Sequence, residues 1–292
     1  IIYNNSYACE IIILSSAFYR NLHIRFFDFT KLDPYEYEEN KKVGPNGFSL
    51  SILDKKGKVE FKDKNSYVNL TAIPNAKIIK ALIFDQKDFN KNGKFFANIW
   101  LNEANKSDCV LIIPMSKKRY EFILSQSINP IFANGVVRFD DIEADFENEN
   151  SFAYYERVRS CFNFKKVKNT TIYRCFFSTF LDGTPLGFNV SRADKDFSEN
   201  NNIITYNKTV YKLDRIRVKK NKQDMKAWTI YSPDGDVKLR FRPFYKKECT
   251  TKIGRNHLNE VKFFGYFFGD IRIENDVIHI EKIVGVIEEK RF

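Results

Sequence analysis

The chain has 292 residues, 43% hydrophobic and 16% aromatic, with a formal net charge of +11. Length and apolar content together exclude general disorder and a single small core, and fit one large all-β domain or two of ordinary size. No run reaches the ~18 apolar residues that a spanning helix needs, so no transmembrane segment is expected.

In chain order, the sequence opens on Ile1 without a Met, so its native N-terminus is expected upstream. Ile11 to Leu14 begins the longest early apolar run, but it soon meets Arg20 and lacks a signal-peptide pattern. Asp33 to Asn46, rich in Glu, Lys, Asn and Pro, reads as a solvated loop. Lys55-Lys56-Gly57-Lys58 and Asn92-Gly93 are turn signals, and Phe95, Ala97, Ile99 and Leu101 then alternate as one face of a strand. Ser116 to Gln126 fits a short helix with Ser116 as N-cap, or equally a strand. Asn134-Gly135 is another turn. The acidic stretch Asp140 to Asn150 leads to a domain join near Ser151, giving domains over 1–150 and 151–292.

The second half repeats the pattern. Turns are expected at Asp182-Gly183, Asn207-Lys208, Pro233-Asp234-Gly235 and Glu274-Asn275-Asp276. Tyr211 and Leu213 share one parity and Ile216 and Val218 the other, so the phase slips at Asp214-Arg215, as at a bulge or corner. Val237, Leu239 and Phe241 alternate with Lys238, Arg240 and Arg242, predicting a strand with one buried and one basic face. Val261, Phe263, Phe267, Ile271 and Ile273 share a parity with Gly265 and Gly269, where a bend or a close backbone approach is expected. The dominant period of two predicts an all-β chain: two tandem antiparallel β-barrel or sandwich domains with little helix.

Several chemistries leave no trace. The five Cys are odd in number and widely spaced, without C-x-x-C, so reduced thiols and a cytoplasmic location are expected. The three His residues, His23, His257 and His279, have no metal-ligand spacing, so neither a metal nor a cofactor is expected; His279 reads as lying on a wet strand face. There is no G-x-S-x-G and no phosphate loop. The basic run Arg217 to Lys226 reads as a solvated hairpin tip, with a phosphate-binding surface as the rival. Basic residues are otherwise spread out, and codon bias toward Lys, Asn, Ile, Phe and Tyr would give this composition without a polyanion, so no specific nucleic acid is expected.

A set of landmarks in the second half resembles the family known as domain of unknown function 2804. They are Tyr154-Tyr155-Glu156-Arg157-Val158-Arg159, Phe162-Asn163-Phe164, Leu186-Gly187-Phe188-Asn189 with Glu199-Asn200, and Trp228 ahead of Asp234-Gly235. Leu239-Arg240-Phe241-Arg242-Pro243, Phe264-Gly265 with Gly269, and Gly285-Val286-Ile287-Glu288 follow, with Phe292 last. Val158 stands where the family pattern has Gly, and Phe162, Phe164 and Phe292 stand where it has Trp, which loses an indole N–H donor at each. The resemblance implies an all-β protein similar to two-barrel, lipocalin-like proteins, a group that includes carotenoid hydratases and tocopherol cyclases; that is a likeness of fold.

On this reading Glu199 is either a turn carboxylate or an inward acid whose burial would raise its pKa for proton transfer, with Glu288 and Arg157 as its catalytic companions. Asn200, Glu156, Arg159, Trp228, Phe162, Phe164 and Phe264 are the candidate ligand-binding residues. On a strand, Glu156 faces away from Arg157 and Arg159, and one Arg set against Glu199 or Glu288 would make a buried network. Three functions stay open. The first is binding of a hydrophobic or amphipathic small molecule in a barrel cavity. The second is a cofactor-independent hydratase or cyclase using Glu199 on an isoprenoid-like substrate. The third is a surface that binds polyanions or a partner.

Overall fold

The computed structural model describes residues 1–15, 20–31, 35–43, 48–50, 57–62, 66–73, 76–83, 95–103, 109–114, 122–147, 149–161, 170–194, 202–221, 227–253 and 256–291. Among these residues every regular element is a strand, and no helix is long and apolar enough to cross a membrane. The strands are β1 (Ile2–Tyr3), β2 (Tyr7–Ser15), β3 (Arg20–Asp28), β4 (Tyr35–Val43), β5 (Phe48–Leu50), β6 (Gly57–Lys62), β7 (Ser66–Ile73) and β8 (Ala76–Ile83). There follow β9 (Phe95–Glu103), β10 (Cys109–Pro114), β11 (Phe122–Phe139), β12 (Ile142–Phe146), β13 (Phe152–Cys161), β14 (Thr171–Leu181) and β15 (Thr184–Ala193). The last are β16 (Ile203–Tyr206), β17 (Thr209–Lys212), β18 (Arg217–Lys220), β19 (Trp228–Tyr231), β20 (Val237–Ile253), β21 (Asn256–Ile273) and β22 (Asp276–Arg291).

They form two antiparallel sheets. One runs in the order β4-β3-β2-β1-β13-β11-β9-β8-β7-β6-β5, with β10 and β12 also paired to β11. The other runs β17-β16-β15-β14-β22-β21-β20-β19-β18. The chain divides into two compact units, residues Ile1–Lys106 with Ile131–Tyr154, and Ser107–Pro130 with Tyr155–Phe292. The segment Ser107–Pro130 groups with the second unit.

In the first unit β9 alternates as its sequence requires: Phe95, Ala97, Ile99 and Leu101 are buried, and Asn98 and Trp100 are exposed. The expected loop over Asp33 to Asn46 is corrected. Tyr35–Val43 is strand β4, paired with β3 from Tyr35 opposite Asp28 to Val43 opposite Arg20. Propensity failed there because β4 ends the sheet, and a Glu- and Lys-rich strand suits an edge that must not recruit another chain. Of the Ser116 to Gln126 segment, the described part, Phe122 to Gln126, is strand: it pairs with β10, and tertiary pairing overrides the local helix signal.

The second unit's nine-stranded sheet wraps one face around a single core. Phe177, Phe188, Phe241 and Phe267 lie at its centre, with ring centroids 5.0 Å apart for Phe177–Phe188, 4.9 Å for Phe177–Phe267 and 4.7 Å for Phe241–Phe267. Each such ring contributes about 1.5–3 kcal/mol by burial. Gly265 and Gly285 face one another across β21 and β22. A Cβ on Gly265 would sit 2.6 Å from Phe241 Cζ, and one on Gly285 would sit 2.7 Å from Phe267 Cε2, so the glycines make the room that the rings fill. The close approach expected at Gly265 is therefore present. Gly269, at φ +125°, marks a register shift in the β21–β22 ladder.

The phase slip at Asp214-Arg215 is a corner. Leu213 to Ile216 carry the chain from β17 to β18, which are the two edges of the sheet, and both Leu213 and Ile216 join the core. Asn202 holds this connector: its backbone carbonyl accepts from Leu213 N–H at 2.8 Å, and its Nδ2 donates to Asp214 O at 3.1 Å.

Candidate functional site

Alternation gives the strands of the second sheet two faces, and in β14, β15, β21 and β22 both are buried over part of their length. The inner face is the apolar core. The outer face carries a buried apolar row, Phe176, Val286 and Phe264, flanked by polar residues whose partners come from segments of β11 and β13 of the same unit. Asn129 on β11 donates from Nδ2 to Phe177 O at 3.1 Å and to Phe188 O at 2.9 Å, and its Oδ1 accepts from Ser178 Oγ. Asn189 donates to Ser127 Oγ at 3.3 Å.

Next to these amides lies a charged cluster. Register places Arg174, Glu288 and Lys262 side by side on β14, β22 and β21, and Lys290 opposite Glu260 one step along. Glu288 meets Lys262 Nζ at 3.2 Å, Lys290 Nζ at 3.3 Å and Arg174 Nη1 at 3.5 Å. Glu260 meets Lys290 at 3.2 Å and Lys262 at 3.6 Å. Arg174 also pairs with Glu156 on β13, whose Oε1 accepts from Ser125 Oγ at 3.0 Å. Glu156 is thus tied to Glu288 through Arg174.

Accessibility is lowest at the centre of this network and rises on both sides, to 25% at Lys290 on one and to Glu156 and Arg174 on the other. The side chains of Lys262 and Glu288 are 3% and 4% exposed, whereas Glu156 and Arg174 keep 15% and 18%. Burial alone would push the Glu288 carboxyl up. Lys290, Lys262 and Arg174 outweigh it and hold Glu288 well below the usual carboxylate range, so it is ionised and serves as a fixed negative charge. A buried ionic cluster of this kind adds little stability over an apolar layer of the same volume, which makes it a candidate for a role beyond folding.

The residues expected from the sequence fall into separate places. Glu156 and Glu288 join the network. Phe264 is fully buried on the same outer face, its ring 6.2 Å from Tyr245. Trp228 lies on the inner face, in the core. Arg157 is half-buried and Arg159 exposed, and alternation along β13 turns both away from Glu156; the arginine set against Glu288 is Arg174. Glu199, Asn200, Phe162 and Phe164 lie outside the described residues. Sequence reasoning missed Arg174, Lys262, Lys290 and Asn129. Its one available signal was a lone cation inside an otherwise apolar strand, as in Tyr173-Arg174-Cys175 and Val261-Lys262-Phe263.

Two other features complete the polar landscape. A cavity of about 380 Å³ is lined by Lys212, Leu213, Asp214, Ser232, Asp234 and Asp236. The Ser232 hydroxyl, with the Asp236 backbone N–H, holds Asp234 below its ordinary range. Among the described residues no group of three or more His, Cys, Asp or Glu is placed to hold a metal ion. His279 lies exposed on β22 and shares a 2.7 Å contact with Asp270, on the wet face that the sequence predicted.

The family profile described as Domain of unknown function (DUF2804) matches residues 1–292. A search of curated proteins gave no match to the sequence. Among solved structures, the chain is similar to CghA with Sch210972, at TM-score 0.52 and 10% identity over 98% of this chain and 88% of that one. It is similar to kievitone hydratase from Nectria haematococca, at TM-score 0.52 and 10% identity over 99% of this chain and 86% of that one. At such identity the likeness is one of fold, and it agrees with the all-β, lipocalin-like architecture.

Proposed function

The chain belongs to the DUF2804 family, and from that premise we propose that it binds an amphipathic small molecule whose polar head meets the open end of the outer-face network, at Glu156, Arg174 and Ser125. The observation that carries this reading is the rise in exposure from the centre of the network to its β13 side, where a carboxylate, a guanidinium and a hydroxyl meet. Its deep members hold one another, while Glu156 and Arg174 remain partly accessible and can exchange a bond with a hydroxyl or carbonyl. The inner face supports this placement over a barrel cavity, because Phe177, Phe241 and Phe267 fill it. The fold is similar to that of CghA with Sch210972, a likeness that supports binding of a small molecule.

The test is native mass spectrometry of the protein purified from its own cells, followed by organic extraction. One bound species that is lost from Arg174→Met supports the reading. Protein that is repeatedly empty under gentle conditions, or a species held equally by Arg174→Met, overturns it.

A second reading makes the same site catalytic. It is favoured by the name of one structural neighbour, a hydratase, and by Glu156, a partly accessible carboxylate with a hydroxyl donor. Glu156 would move the proton while Glu288 and Arg174 stabilise charge, or Glu199 would be the acid. With the extracted molecule as substrate, Glu156→Gln and Glu199→Gln separate the two: loss of turnover with binding retained identifies the acid. If neither variant nor the wild type changes the molecule, the binding reading stands alone.

A further inference from the structure

The strand ends that carry the ionic network outside carry a different constellation inside. On the inner face, Glu289 of β22 lies opposite Tyr173 of β14 and Val261 of β21, and Arg291 donates from Nε to Glu289 Oε1 at 2.7 Å. Trp228 of β19 lies nearby, its ring centroid 5.2 Å from that of Phe263 and 5.9 Å from that of Tyr173. Lys220 of β18 is the cross-strand partner of Trp228, so both side chains leave the sheet on the same face. The Lys220 ammonium sits 5.3 Å from the Trp228 ring centre and 5.7 Å from that of Phe263.

Two facts about this end point to a ligand. Trp228 is 2% exposed, and its Nε1–H is buried with no hydrogen-bond partner among the described residues. A buried indole N–H ordinarily finds one, and an unmade bond there costs more than a surface cation–π contact supplies. One group over the Trp228 ring is the exposed Lys220, whose long side chain can swing aside. Arg192, the cross-strand partner of Tyr173, adds a second cation to this face.

We propose that this end of the inner face is a binding site for a small aromatic carboxylate. The carboxylate accepts from Trp228 Nε1–H and pairs with the Lys220 ammonium, and the ring seats against Tyr173 and Phe263. The ligand must be small, because beyond Trp228 the face is closed by Cys175, Phe177 and Phe241. Glu289 does not oppose the anion, since Arg291 already holds it. The site lies on the opposite face of β14, β21 and β22 from Arg174 and Glu288, so it stands or falls independently of the outer-face reading.

The chain has two tryptophans, and Trp100 is exposed. A Trp100→Phe variant therefore leaves Trp228 as the sole indole reporter. Titrated with benzoate, it should give a saturable change in the buried emission, and benzyl alcohol should bind about tenfold or more weakly, since it lacks the charge. Adding Lys220→Met, at an exposed position, should weaken benzoate by a similar factor while leaving benzyl alcohol unchanged. Calorimetry on Trp228→Phe, which keeps the ring and removes the donor, should show loss of benzoate affinity. Absence of a saturable response, or benzoate affinity unchanged in Lys220→Met, overturns the proposal.

Discussion

Glu288 and Glu289 are consecutive residues of β22, both buried, and they belong to opposite faces of the same sheet: Glu288 is held by Lys262, Lys290 and Arg174, and Glu289 by Arg291. The pleat separates them. Each carboxylate leaves water only because cations wait on its own side, so the two can be altered independently.

Glu288 makes stability depend on acid. Its folded pKa lies below the unfolded value of about 4.3, so its contribution is fully present above that pH and is lost as pH falls toward the folded pKa. Glu288→Gln should therefore show a shallower loss of stability between roughly pH 5 and pH 2 than the wild type. At pH 7 it should be less stable by about 3–5 kcal/mol, because Lys262 and Arg174 lose a buried partner. Urea midpoints across that pH range check both expectations.

Gly265 is a steric requirement. A Cβ there would lie 2.4 Å from Arg242 O and 2.6 Å from Phe241 Cζ. Gly265→Ala should cost about 1–3 kcal/mol through forced displacement of the ladder or the ring. Gly183 has nothing within 4 Å of its Cβ position, but its φ of +76° makes it a poor neutral control. Thermal denaturation of Gly265→Ala is the measurement, and an unchanged Tm would show that β20 and β21 yield more easily than packing suggests.

Asn129 ties β11 to two strands of the barrel through Phe177 O, Phe188 O and Ser178. Asn129→Leu keeps the volume and removes these partners. It should destabilise by about 1–3 kcal/mol for each buried group left unsatisfied. Amide exchange should rise in β14 and β15 ahead of β20 and β21 if the loss is local.

Burial sets thiol reactivity. It pushes Cys9 up to about 12 and raises Cys175 further still, which keeps both as thiols. An alkylating reagent at pH 8 should leave Cys9 and Cys175 unmodified in the folded protein and label them on unfolding. Peptide mapping reads the outcome, and early labelling of Cys175 would mean that the core opens on the reagent's timescale.

The fold was legible along many strands with one wet face, though Asn134-Gly135, read as a turn, lies inside β11 opposite Trp100 and Ile99. Val237, Leu239 and Phe241 against Lys238, Arg240 and Arg242 state their face, strand and direction in six letters, and Gly265 announced a close approach before any ring was placed. Legibility also failed in two broader physical situations. Tyr35–Val43 is polar because it is an edge strand, and composition reads an edge as a loop. Residues 175 to 179 and 284 to 289 are buried on both faces, so alternation vanishes, and a charge at the edge of such a run, as Arg174 is, carries no sign of which side it serves. The ionic network sits in and beside such stretches, and its bonded partners are up to 114 positions apart, as Arg174 and Glu288 are, so only register brings them together.

The corner at Leu213 to Ile216 has a kinetic consequence. Its flanking strands, β17 and β18, end the hydrogen-bonded order, so the second unit has a seam where no ladder has to be unzipped. Parting it at the connector means releasing the Asn202 contacts to Leu213 and Asp214 and pulling Leu213 and Ile216 from the core, a far smaller step than separating β20 from β21. Breathing of this barrel should begin at that seam, with solvent reaching Ile216 and Ile230 long before it reaches Phe267.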